Sequence, residues 1–158
     1  MSELKKYIHY GSRSFHPEWF NSIKNTTWNK PYGGLWASPY PAPNIDWKQW
    51  CIDNEFDGRT SQSFIFSIDD TSNIIRLSDL KSVRKFKKSK YCNPWYHNTS
   101  CYFMDFIDFE AIVKDGFDGI EVLISSSDVY MAMYSWDVDS LLVFNPEIIL
   151  VEERMLHG

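Results

Sequence analysis

Tyr7-Ile8-His9-Tyr10-Gly11-Ser12-Arg13 is an apolar run that closes abruptly on small polar residues. Its aromatic and β-branched residues favour a strand over 6–10, and Gly11-Ser12 ends it. A glycine there has no side chain to keep a ligand from the backbone. The stretch therefore predicts a strand whose end opens on a site.

Working outward, "HPEWF" reads as one helical turn with Pro17 at its first position. A Lys-Pro-Tyr-Gly-Gly turn at 30–34 precedes a short strand, "GLWAS", and the three prolines of "SPYPAP" predict an extended, exposed segment. Asp46 to about Asn54 reads as a helix carrying Trp47, Trp50 and Cys51 at helical spacing. "SFIFSI" at 63–68 and "NIIRL" at 73–77, separated by Asp69-Asp70, predict a hairpin. "SDLKSVRKFKK" predicts a helix capped by Ser78, and 89–104 a long loop. Asp105 is the expected cap of a helix through Lys114, stopped at Gly116. "DGIEVLI" is the next strand, 127–136 a short helix, and "SLLVF" a buried-type strand ended by Asn145-Pro146. Strands outnumber helices without regular alternation, so the expected class is α+β.

A chain of 158 residues predicts one domain with a continuous core. Aromatics make up 17%, which supplies many flat surfaces able to stack on rings. No apolar run approaches a membrane span, and "MSELKKYIHY" lacks the apolar core of a signal peptide. Three cysteines, Cys51, Cys92 and Cys101, make an odd count that argues against a disulfide framework. Together these point to a cytoplasmic protein.

The net charge of −5 hides an asymmetry. Residues 80–104 contain Lys81, Arg84, Lys85, Lys87, Lys88 and Lys90 and no acid. Overall acidity argues against non-specific nucleic-acid binding, while the local basic stretch allows a specific anionic partner. It runs into Tyr91, Trp95, Tyr96 and His97, and basic residues interleaved with aromatics suit phosphate contact with base stacking. Residues 81–97, and Arg84, Lys87 and Lys88 in particular, are the expected contact for an RNA or DNA acceptor.

"HYGSR" at 9–13, "GGLWAS" at 33–38 with Trp47 beyond it, and "WDVDSLLVFNP" at 136–146 form an ordered set. The set resembles the ADP-ribosyltransferase fold, in its diphtheria-toxin and poly-ADP-ribose-polymerase branch. The resemblance implies a split β-sandwich with short flanking helices, and NAD as substrate, bound between the motifs. It implies that the first motif holds the nicotinamide amide and adenosine ribose, two aromatics sandwich the nicotinamide, and an acid contacts its ribose. Trp36 and Trp47 match the aromatics, Ser38 lies beside them, and Ser12 and Arg13 fall to the ribose and phosphates. Aligning Gly11-Ser12-Arg13 puts Tyr10 in the place of the family's histidine, with His9 beside it; neighbours on a strand face opposite sides, so one of the two is expected in the cleft, with Tyr10 preferred. Ser140 stands where the family has a glutamate, so Asp139 is expected at the ribose, with Asp137 and Ser140 as neighbours; if extended, the two aspartates share a face. The chemistry fits, because a carboxylate stabilises the oxocarbenium-like cation left when nicotinamide departs, and aromatic walls suit a planar cation.

Other readings stay open. Glu121, on a buried-type strand, is a rim residue or a second candidate acid. Cys92, His97 and Cys101 have spacing close to a zinc knuckle but supply only three ligands, and no metal is expected. An RNA 2′-phosphotransferase shares the fold but needs several basic pocket residues, of which Arg13 alone is evident. A catalytically degenerate binder of NAD or of a protein is the non-enzyme reading. A lone domain of this kind suits a bacterial or phage toxin or conflict effector, whose control calls for an antitoxin partner.

Overall fold

The computed structural model describes residues 4–92, 104 and 106–151. Its class is α+β: a seven-stranded mixed sheet with four α-helices among the described residues. In chain order the elements are β1 (Lys6–Tyr10), β2 (Leu35–Tyr40), α1 (Trp47–Asp53), β3 (Ser63–Ile68), β4 (Ile74–Leu77), α2 (Leu80–Lys87), α3 (Phe109–Lys114), β5 (Gly119–Val122), α4 (Ser127–Ala132), β6 (Ser140–Val143) and β7 (Ile149–Val151). The sheet order is β4-β5-β6-β2-β1-β3-β7, and β4–β5 is its parallel pair. "HPEWF" forms a 3-10 turn, Pro17–Trp19. No helix among the described residues is long and apolar enough to cross a membrane.

Alternation along the strands divides the core. Tyr7, Ala37, Phe66, Leu141 and Val143 bury themselves on one face of the sheet. Ile120, Val122 and Leu142 point the other way, beneath Val83 and Phe86 of α2, Ile112 of α3 and Val129 of α4. Glu121 lies in register with Leu141, on the Tyr7 face. Tyr7 Oη donates to its carboxylate at 2.5 Å, although β6 and β2 separate their strands. Across a flat sheet that separation is about 14 Å, so two side chains standing off the same face meet only if the sheet bends round it.

Several local expectations change. The hairpin of 63–68 and 73–77 does not form: β3 pairs with β1 on one edge and β7 on the other, which leaves no edge for β4. The chain turns at Asp69, whose carboxylate accepts from the Thr71 backbone and hydroxyl, and delivers β4 to β5. β2 runs on through Pro39, rather than ending at Ser38. It pairs with β6 over 35–37 and with β1 over 38–40, so Pro39 has one neighbouring strand and its missing N–H breaks no ladder.

The cap of α2 is Asp79, not Ser78, in a reciprocal capping box with Ser82. Asp108 caps α3, which starts later than Asp105 would place it. Asp105 itself, most of the expected 89–104 loop, and residues 93–97 of the basic-aromatic stretch lie outside the described residues. Entry to β2 needs glycine: Gly33 has φ +82°, and a Cβ there would stand 2.2 Å from the Ser22 carbonyl oxygen.

Candidate functional site

The motif strands β1, β2 and β6 are neighbours, so their ends converge. On the face away from the Tyr7 core they border a cavity of about 440 Å³. That volume lies in the range, roughly 300–1,000 Å³, usual for small-molecule sites. Ile8 and Tyr10 come from β1, Trp36 and Ser38 from β2, Trp47 from α1, and Trp136, Asp137 and Ser140 from the approach to β6. Lys30 and Pro31 close one side.

Each wall has a local cause. Asp46 caps α1 by accepting from the Gln49 backbone, and its other carboxylate oxygen accepts from the Tyr10 hydroxyl. The end of β1 is thereby tied to the start of α1. Burial, then the Asp46 carboxylate, raises the Tyr10 pKa and keeps the hydroxyl protonated. Ser38 Oγ accepts from the Trp47 backbone at 3.3 Å, which fixes the helix over β2. Trp36 packs on buried Trp136 with ring centroids 4.7 Å apart. The Trp136 indole donates to the carbonyl of Asn29, whose buried side chain bonds to Ser135 and to the Met104 carbonyl. This clasp sets Lys30 beside Asp137, with 3.6 Å between ammonium and carboxylate.

His9 and Tyr10 both border the cavity, from opposite sides of the strand. Tyr10 follows Ile8 onto the cleft face, whereas His9 packs on Phe64 and also lines a smaller cavity with Ser12 and His16. His9 Nδ1 lies 2.6 Å from the Trp36 carbonyl, which can only accept, so Nδ1 carries the proton. Burial lowers the His9 pKa, so the ring is neutral at neutral pH and Nε2 keeps an acceptor lone pair. Gly11, at φ +123°, leaves the space beside it open: a Cβ there would lie 3.7 Å from Nε2.

The two aspartates separate. Residues 138 and 139 form a bend, so the shared face expected of an extended segment does not exist. Asp137 lines the cleft. Asp139 is buried away from it and accepts from the Ser125 backbone at 3.0 Å, while its Oδ2 has no hydrogen-bond partner among the described residues. Ser140 reaches the cavity wall and donates to the Val138 carbonyl.

The remaining candidates are not gathered there. Gly11 and Arg13 are exposed, and Ser12 donates to the Ser14 carbonyl. Arg84 is exposed on α2 and Lys88 just after it, whereas Lys87 is buried. Glu121 is neither rim nor cleft, being buried against Tyr7, Lys5 and Arg76. Among the described residues no three His, Cys, Asp or Glu side chains form a metal site.

Sequence reasoning passed over Lys30 and Asn29. They sit in a turn-rich segment without periodicity, and only the distant Ser135-Trp136 contact gives them a place. No family model, no curated protein and no solved structure matches the chain.

Proposed function

We propose that the chain is an NAD-dependent ADP-ribosyltransferase that binds NAD in this cleft and transfers ADP-ribose to a macromolecular acceptor. One observation carries the reading: stretches around residues 10, 36 and 137, remote in sequence, end on a single aromatic-walled cavity that contains a carboxylate. The bend of the sheet around Tyr7 and Glu121 supports the split-sandwich form that goes with it.

Trp36 and Trp47 take the planar, cationic nicotinamide between flat walls. His9 Nε2, which keeps an acceptor lone pair, accepts a hydrogen from the ligand at the cavity wall that His9 forms. Asp137 faces the cation that develops at the ribose C1′, with Ser140 next to it. Asp139 acts at one remove, holding the bend against Ser125. The bond from C1′ to nicotinamide nitrogen breaks and its electron pair leaves with nicotinamide. An acceptor oxygen or nitrogen then bonds to C1′ and gives its proton to Asp137, which passes it to water.

The test is incubation of purified protein with adenylate-labelled NAD and mixed protein, RNA and DNA acceptors. Nicotinamide release and label transfer are expected, and Asp137→Asn should lower both about 100-fold with NAD affinity little changed. The transferase reading is lost if the wild type does neither.

The Lys30–Asp137 ion pair favours a second reading, a binder without turnover, because it neutralises the one carboxylate that faces the cleft among the described residues. NAD retained without nicotinamide release identifies that case. Consumption of 2′-phosphorylated RNA would instead assign the phosphotransferase chemistry.

A further inference from the structure

A second cavity, of about 410 Å³, adjoins the cleft, and Lys30 and Asp137 belong to the walls of both. Its other walls include Trp28, Trp50, Tyr130 and Tyr134. α1 gives one ring to each cavity: Trp47 to the cleft and Trp50 to the groove, stacked 5.1 Å apart and 9° from parallel. Trp28, Tyr130 and Tyr134 are exposed, and the Lys30 ammonium lies 5.8 Å from the Trp28 ring centroid.

α4, which carries Tyr130, packs against α2. That helix exposes Lys81, Arg84 and Lys85, and Lys88 is exposed just after it; Asp79 caps the start, and there is no acid from 80 to 88. Rings alone suit many flat groups, and cations alone suit any anion. Rings in the groove, together with cations on the helix that packs against its α4 wall, match a single strand of nucleic acid, whose bases stack while its phosphates follow the cations. An arginine side chain of a protein acceptor also stacks on rings, but the cations of α2 repel it.

We propose that this groove binds the acceptor as single-stranded nucleic acid, stacking bases on Trp28, Trp50, Tyr130 and Tyr134 with the phosphates along α2. A stacked base then stands at the Asp137 wall shared with the cleft. This deepens the transferase reading and rests on it for the strand's role as acceptor.

Anisotropy titrations of the full chain with fluorescein-labelled dT, dA, U and A strands of about twelve nucleotides test it. The strands should bind, more weakly as salt rises, and about tenfold more weakly to Tyr130→Ala/Tyr134→Ala and to Arg84→Glu/Lys88→Glu. Circular dichroism checks the fold of both double variants, whose altered side chains are exposed. No binding by the wild type, or wild-type binding by both variants, overturns the proposal. So does an arginine-rich peptide that binds in a tyrosine-dependent way where the strands do not.

NAD binding to the wild type is measured in parallel by calorimetry. Strand binding lost in the variants without NAD binding supports the groove and removes the transferase reading. NAD turnover without strand binding removes the groove and leaves the transferase.

Discussion

His9 shows how one half-buried ring at a strand end couples the fold to pH. Desolvation pulls its pKa below the ordinary 6.5, and the bond to the Trp36 carbonyl opposes this only in part. In the unfolded chain the ring takes a proton near 6.5. Between that value and the lower folded pKa the unfolded state therefore binds more protons, and stability rises with pH. The stabilising contribution is complete above 6.5 and is lost as pH falls from there toward the folded pKa. His9→Asn keeps an N–H for the Trp36 carbonyl but cannot titrate. Urea midpoints at about pH 7.5 and about pH 5.5 should drop more for the wild type than for this variant. Parallel drops would assign the acid sensitivity to another group.

α1 joins a local signal to a distant consequence. Its start was readable because Asp46 precedes a helical pattern of Trp47, Trp50 and Cys51, and the structure caps it there. The same carboxylate holds Tyr10, so removing it frees both the helix end and the cleft-facing end of β1. Asp46→Ala should cost about 1–2 kcal/mol in urea unfolding. On the proposed function it should also weaken NAD binding several-fold by calorimetry, because Trp47 and Tyr10 lose their fixed separation. An unchanged NAD affinity at reduced stability would show that the cap serves the helix alone. What was legible in the sequence has this local character: strand spans, the helix of Trp47, and the turn that Gly33 permits. Pairing was not legible, because "SFIFSI" carries no mark of whether β4 or β7 will share its edge. The same limit hid half of the site: Trp36 and Trp47 were named through the motifs' resemblance to a family, whereas Lys30 reaches the cleft only through Asn29's contacts with Ser135 and Trp136. Asp139, the acid expected at the ribose, turns inward at the bend of 138–139, and its expected neighbour Asp137 lines the cleft instead.

Across the whole molecule the two faces of the sheet hold two acids in different surroundings. Asp137 stands in the cleft on one face, and Glu121 lies buried on the other. Glu121 accepts from Tyr7 of β1, from Lys5 just before it and from Arg76 of β4, so one carboxylate ties both halves of the bent sheet. Breaking a fully buried ion pair costs about 3–5 kcal/mol, largely because the abandoned partner stays desolvated. Here Lys5 and Arg76 are 55% and 47% exposed and can turn to water. Glu121→Gln should therefore cost less, about 2 kcal/mol, mainly through the weakened bond to the Tyr7 hydroxyl and the loss of ionic partners. Because the change lies across the sheet from the cleft, the folded variant should keep the NAD affinity and nicotinamide release that the proposed function assigns to the wild type. Urea unfolding and calorimetry on the same preparation separate the two effects. A variant of wild-type stability that has lost turnover would make Glu121 the working acid, and would move the site to the opposite face of the sheet.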